Sequence, residues 1–166
     1  MSKVNKRWDK WIYSSVSKFF FDAAALEGAF MHIEGQKRET SGKSEWLEFR
    51  LDGPWYNELS HNCWRVEVEI NIGVNHTMDD SNFHGLSLLK GVAESLFENC
   101  IVVSKNATKD VADAESNGSR FIVLSLQNMD SANRLIATNF GNPKPSEDIE
   151  QATIEGRYMQ TFSLTP

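Results

Sequence analysis

Residues 63–75 read CWRVEVEINIGVN, and in them Trp64, Val66, Val68, Ile70, Ile72 and Val74 alternate with Arg65, Glu67, Glu69, Asn71, Gly73 and Asn75. A period of two over this length is the signature of a long β-strand with one apolar and one polar face. The pattern also fixes the register, because a slip of one residue would send every one of these apolar side chains to the solvent side. Trp64, Val66, Val68, Ile70 and Ile72 are therefore expected to point inward.

The flanking segments supply partners for that strand. Just upstream, EWLEFRL at 45–51 places Leu47, Phe49 and Leu51 on one face and Trp46, Glu48 and Arg50 on the other, a second strand. Asp52-Gly53-Pro54 is expected to end it, leaving 55–62 as a connection. Further upstream, Trp8, Trp11, Ile12, Val16, Phe19, Phe20 and Ala23 recur at helical spacing, and Gly28 suits the stop of a helix over 8–26. AFMHIE at 29–34 reads as a short strand. QKRETSGKS at 36–44 has no apolar anchor and reads as an exposed, flexible loop, basic through Lys37, Arg38 and Lys43.

Downstream, Asp79, Asp80 and Ser81 offer a cap for a second helix over about 81–99, with Leu86, Leu89, Ala93, Leu96 and Cys100 as its stripe. Strands are expected at 101–105, 120–127, 135–140 and 149–164. The segment 120–127, apolar on both faces, suits a central position, and Asn142-Pro143-Lys144-Pro145 is expected to cut off the strand before it. NATKDVADAESNGS at 106–119 is polar and small, a second flexible excursion.

One apolar stripe per helix and one apolar side per strand give an α+β fold. The arrangement expected is a mainly antiparallel sheet of five to seven strands with two amphipathic helices packed on one face. Trp11, Val16, Phe20, Leu89 and Leu96 would lie over the sheet. At 166 residues the chain is long enough for one domain, 1–166, with its own core. Its 10 Phe, 5 Trp and 3 Tyr supply ample packing material.

Composition narrows the function. With 17 Lys plus Arg against 23 Asp plus Glu the net charge is -6, a poor match to a duplex-coating protein. Cys63 and Cys100 are distant in sequence, with no C-x-x-C and no neighbouring His pattern; they read as buried thiols. The basic N-terminus runs into an amphipathic segment interrupted by Asp22 and Glu27, neither a signal peptide nor a membrane span. Asn75, Asn106 and Asn117 begin N-x-[ST] triplets, which matter only in a secreted chain.

No catalytic constellation emerges. His76 and His84 flank Asp79 and Asp80, but that spacing matches no established ligand motif and the two aspartates are already explained as capping residues. Ser60-His61 lacks an elbow glycine pattern, and neither nucleotide-binding glycine motif occurs. No cofactor or metal is expected, and the chain is read as a non-enzyme. What stands out is a long strand with few edge-protecting charges beside Trp55 and Tyr56, the profile of an assembly component.

The order of elements adds to this. An N-terminal amphipathic helix, short strands, WRVEVEINIGVNHTMDD at 64–80, GLSLLKGVAESLFE at 85–98 and EGRYMQTFSL at 155–164 together resemble the tail terminator or tail-completion proteins of long-tailed bacteriophages. The resemblance implies a homo-oligomeric ring, usually of six subunits, that caps the tail tube and offers its other face to head-completion or connector proteins. It implies a place in the virion tail or neck after synthesis in the host cytoplasm, with no membrane role. The additions at 106–119 and 135–140 leave other neck or tail components, such as a head-tail connector or a tube protein, as alternatives. A small α+β hydrolase using His76, Asp79, Asp80 and His84 is the alternative of another class. For the ring, Trp46, Trp55 and Tyr56 are the candidate subunit contacts. Glu67 and Glu69 are candidates for a lumen that passes DNA without holding it. The loop carrying Lys37, Arg38 and Lys43 would meet the tube or the DNA.

Overall fold

Alternation in the 63–75 segment produces the central strand of a hairpin that is longer than the sequence suggests. In the computed structural model, which describes residues 6–36, 42–78, 84–105, 120–144 and 148–163, β2 (Glu45–Ser60) runs antiparallel to β3 (Cys63–Thr77) over nearly its whole length. The element before them is α1 (Lys6–Leu26), followed by β1 (Met31–Ile33); after them come α2 (Gly85–Ser95), β4 (Cys100–Ser104), β5 (Arg120–Gln127), β6 (Leu135–Lys144) and β7 (Ile149–Ser163). The class is α+β, and among the described residues there are two helices and a mixed seven-stranded sheet in which β1 alone lies parallel to its neighbour, β2. Residues 37–41 and 106–119, which carry most of the two loops expected to be flexible, lie outside the described residues. No helix among the described residues is long and apolar enough to cross a membrane.

The strand order is β1-β2-β3-β7-β5-β4, with β6 also paired to β7. β7 is long enough to divide one edge between two partners: Arg157–Met159 takes β5, and Ile149–Gly156 takes β6. Its other edge pairs with β3 from end to end.

Inward side chains follow the alternation. Trp64 is 5 % exposed, and Val66, Val68, Ile70, Ile72 and Val74 are wholly buried. Along α1, Trp8, Ile12, Val16, Phe20 and Ala24 are buried at a spacing of four, and the last four enter one cluster with Leu89, Ala93 and Leu96. Trp11 packs half-buried against the same cluster. Burying each large side chain stabilises the fold by about 1.5 to 3 kcal/mol. Gly28, at φ 71°, closes α1 in the left-handed region that glycine tolerates, and Ala29 N–H reaches back to Ala24 O at 2.9 Å.

Tyr158 seals the centre. It is fully buried, its ring stacks on Phe97 with centroids 6.5 Å apart, and its hydroxyl donates to Glu98 O at 2.8 Å. Burial first, then the Glu98 carboxylate, raises its phenol well above the ordinary range. Beside it Gly156 leaves room for Phe97: a Cβ there would stand 2.6 Å from Phe97 Cε1 and 2.9 Å from Leu135 Cδ2. Gly156→Ala should therefore cost about 1 to 3 kcal/mol by overpacking. A denaturant midpoint unchanged from the parent protein would contradict this packing.

Several boundaries differ from the sequence reading. Asp52-Gly53-Pro54 does not end β2; the ladder shifts register between Asp52 and Trp55 and continues to Ser60. Gly53 makes the shift possible, since φ is 101° and a Cβ would stand 3.1 Å from Glu67 O. Pro54 is tolerated because this part of β2 is an edge. Pro143 likewise lies within β6, another edge, rather than ending it. The helix expected over 81–99 is described only from Gly85 to Ser95, with His84 at its cap position making no side-chain cap bond. Asp79, Asp80 and Ser81, expected to cap it, lie outside the described residues. With α2 ending at Ser95, Cys100 is not on its stripe but begins β4 and is exposed, while Cys63 is half-buried; neither is the buried thiol expected.

Candidate assembly surface

The outward side of the β2, β3 and β7 ladders is polar, and cross-strand register assembles it into rows. Trp55 lies opposite Glu67, which lies opposite Met159; Asp52 lies opposite Glu69, which lies opposite Arg157. Trp55 is 51 % exposed. The bulge at Gly53 explains why it faces out: without the register shift the inward parity of Leu47, Phe49 and Leu51 would carry on to position 55.

Glu67 and Glu69 are on this face but are not a bare acidic strip. Arg157 Nε lies 3.1 Å from Glu67 Oε1, and its Nη2 lies 3.8 Å from Glu69 Oε2. Next to them Asp52 accepts from Arg50 Nη2 at 2.8 Å and from Asn71 Nδ2 at 3.0 Å. The negative field of the two glutamates is thus partly offset by a cation on the neighbouring strand. Arg157 was not singled out from the sequence. The signal that could have found it is the matching alternation of 63–75 and 149–163, which puts Arg157 opposite Glu69 once the two strands pair.

Tyr56 points the other way. Its ring centroid lies 5.6 Å from that of Trp8, and its hydroxyl donates to Asp9 Oδ1 at 2.8 Å. Burial first, then this hydrogen bond, raises its phenol far above the ordinary range. Tyr56 therefore ties β2 to α1 and is not free to act as a subunit anchor. It belongs to an aromatic group in which Trp8 also meets Trp64, Phe121 and Phe162 at 5.4 to 6.0 Å.

Trp46 corrects the sequence reading more sharply. It faces away from Leu47 as expected, yet it is only 4 % exposed, and its indole N–H donates to Glu48 Oε1 at 2.9 Å. Opposite it stands Asn75, 3 % exposed, whose Oδ1 accepts from Gln151 Nε2 at 2.8 Å. This end of the sheet is covered on both faces, so Trp46 is an internal packing residue. The same burial removes Asn75 from use as a glycan acceptor; Asn106 and Asn117 lie outside the described residues.

Of the basic loop, Lys43 is exposed with its ammonium 4.7 Å from the Phe30 ring centroid. Lys37 and Arg38 lie outside the described residues. The His-Asp group is likewise divided. His84 is exposed at the start of α2, Asp79 and Asp80 lie outside the described residues, and His76 is 4 % exposed with its ring against Gly85. Among the described residues no three His, Cys, Asp or Glu side chains are grouped to hold a metal ion. His61 is exposed at the tip of the β2-β3 hairpin, beside Asn62 at φ 61°. No protein-family model matches the chain, and no curated protein does.

Proposed function

We propose that this chain is a structural virion protein of the tail terminator kind, whose subunits form a ring of six that caps the tail tube and joins it to the head-neck complex. The observation that carries the reading is Trp55, half exposed just past a bulge on an open margin of the sheet and adjoining Glu67. A large aromatic in that position is the type of residue that anchors a protein contact. The proposal takes the sheet as mainly antiparallel with both helices on one face. The polar face with Glu67 and Glu69 then lines the lumen, where carboxylates repel the DNA backbone and Arg157 moderates the repulsion. The partners are further copies of the chain, the tube protein below and a head-completion or connector protein above, within the tail or neck of a virion assembled in the host cytoplasm.

A head-tail connector would share these surfaces, whereas a tube protein would be mainly β, against which two buried helical stripes weigh. The hydrolase reading would need His76 and His84 to face one substrate, and the burial of His76 against Gly85 weighs against it. The test is light scattering on the purified protein with negative-stain electron microscopy. The expected result is a discrete multiple of the chain mass with annular particles. A monomer at every concentration would overturn the ring.

A further inference from the structure

Among the described residues, two of the strand stretches that have one unpaired side lie at opposite margins of the same sheet. β1 covers β2 only at Leu47–Phe49, so Trp55–Ser60 is paired to β3 alone. At the other margin Leu135–Phe140 of β6 is paired to β7 alone. The two stretches are equal in length. Both carry exposed apolar side chains, Trp55 at 51 % and Leu59 at 44 % on one, Phe140 at 53 % on the other. LIATNF at 135–140 has no charged residue, and WYNELS at 55–60 has Glu58 alone. Natural edge strands are normally guarded by charge, proline or cover; within these two stretches Glu58 is the one such charge and there is no proline, and no strand among the described residues covers either. The other margins differ: β1 is only three residues, and at the short β4 Ser15 Oγ of α1 accepts from Ser104 N–H at 3.0 Å, so a helix already engages it.

We propose that these edges are the subunit contact, the β6 edge of one copy adding to the Trp55–Ser60 edge of the next. This inference rests on the ring reading and specifies how the ring closes. Strand direction supports a second copy as the occupant. Along β2, β3, β7 and β6 each strand is antiparallel to the one before. Placing the next copy's β2 beside β6 in the same orientation continues that alternation. The two edges are different patches of one molecule, which is what a closed heterologous ring requires. They are also offset along the strands, since β6 lies beside Ile149–Gly156 while Trp55–Ser60 is level with Met159–Ser163. A stagger of this kind tilts strands relative to the axis of a closed barrel. Trp55 then stands at the contact.

The experiment combines two substitutions with a cross-link on the full chain. Of the neighbouring positions Ala137 and Thr138, one backbone N–H faces β7 and the other faces away from it. Ala137→Pro and Thr138→Pro, made separately, should give one variant that is destabilised and one that keeps its helical circular dichroism and melting temperature but falls from assembled to monomeric mass. In parallel, Asn57→Cys with Thr138→Cys, in a chain whose Cys63 and Cys100 are changed to Ser, is treated with a short bis-maleimide. A ladder of covalent oligomers supports the edge contact. If the parent chain forms rings while both proline variants still assemble, or the cross-link forms no ladder, the edge contact is overturned and the ring survives. A discrete dimer as the largest species points to two-fold pairing of one edge and overturns the proposal. A monomeric parent chain overturns the ring and the edge contact together. If both proline variants unfold, the cross-link decides alone.

Discussion

Gly85→Ala is expected to destabilise the protein by about 1 to 3 kcal/mol, the range of an overpacked core, although it places the best helix former in α2. Helix propensity alone would favour Ala by up to about 1 kcal/mol. The opposing effect is steric: a Cβ at this position would lie 2.0 Å from His76 Nε2 and 2.6 Å from two ring carbons. His76 cannot easily yield, because it is 4 % exposed and sits at the end of β3 between strands. In a background carrying His76→Ala, the same Gly85→Ala change should become neutral or stabilising. The coupling between the two sites, read from chemical denaturation of the four proteins, should be about 1 to 3 kcal/mol, as for residues in direct contact. Additive effects would mean that the ring does not occupy this space. His76 Nδ1 is buried without a hydrogen-bond partner, so the single His76→Ala change loses packing but no hydrogen bond from Nδ1.

That contact also shows what the sequence could and could not reveal. The inward set on β3 and the α1 stripe were legible because burial there follows a strict period, two for the strand and about four for the helix, and each residue's face is set by local geometry. His76 continues the same parity as Val74, yet its type suggested chemistry, and only the crossing of α2 over the end of β3 shows it to be a packed residue. Gly85 and Gly156 gave no periodic signal at all; their role is the space they leave for His76 and for Phe97, which exists only after distant elements meet. Strand ends were misread for a related reason. Proline and glycine disrupt a central strand, and whether β2 and β6 were edges depended on which strands joined them. The surface residues divide along the same line. Glu67 and Glu69 lie on the expected face, but their pairing with Arg157 depended on the register of β7.

Trp55 and Trp46, the same residue type on one strand, should respond oppositely to truncation. Trp55→Ala removes a half-exposed side chain with few neighbours to lose, so the subunit's own stability should stay within about 0.5 kcal/mol of the parent, as for surface substitutions generally. At a subunit contact the same truncation can cost 2 kcal/mol or more, and a closed ring loses that amount at every interface. On the proposed ring, the expected outcome is a folded protein with a normal melting temperature whose mass by light scattering falls from the ring toward the monomer. Trp46→Ala should do the reverse in kind. With Trp46 4 % exposed, its loss opens a cavity costing about 3 to 5 kcal/mol, and the protein should unfold at lower denaturant whatever its state of assembly. The discriminating quantity is the ratio of assembly loss to stability loss, large for Trp55 and small for Trp46. If Trp55→Ala leaves the ring intact while Trp46→Ala dissociates it without lowering the denaturation midpoint, then the anchor is Trp46, the outer face opens on assembly, and the subunit contact lies at the Asn75 end of the sheet instead.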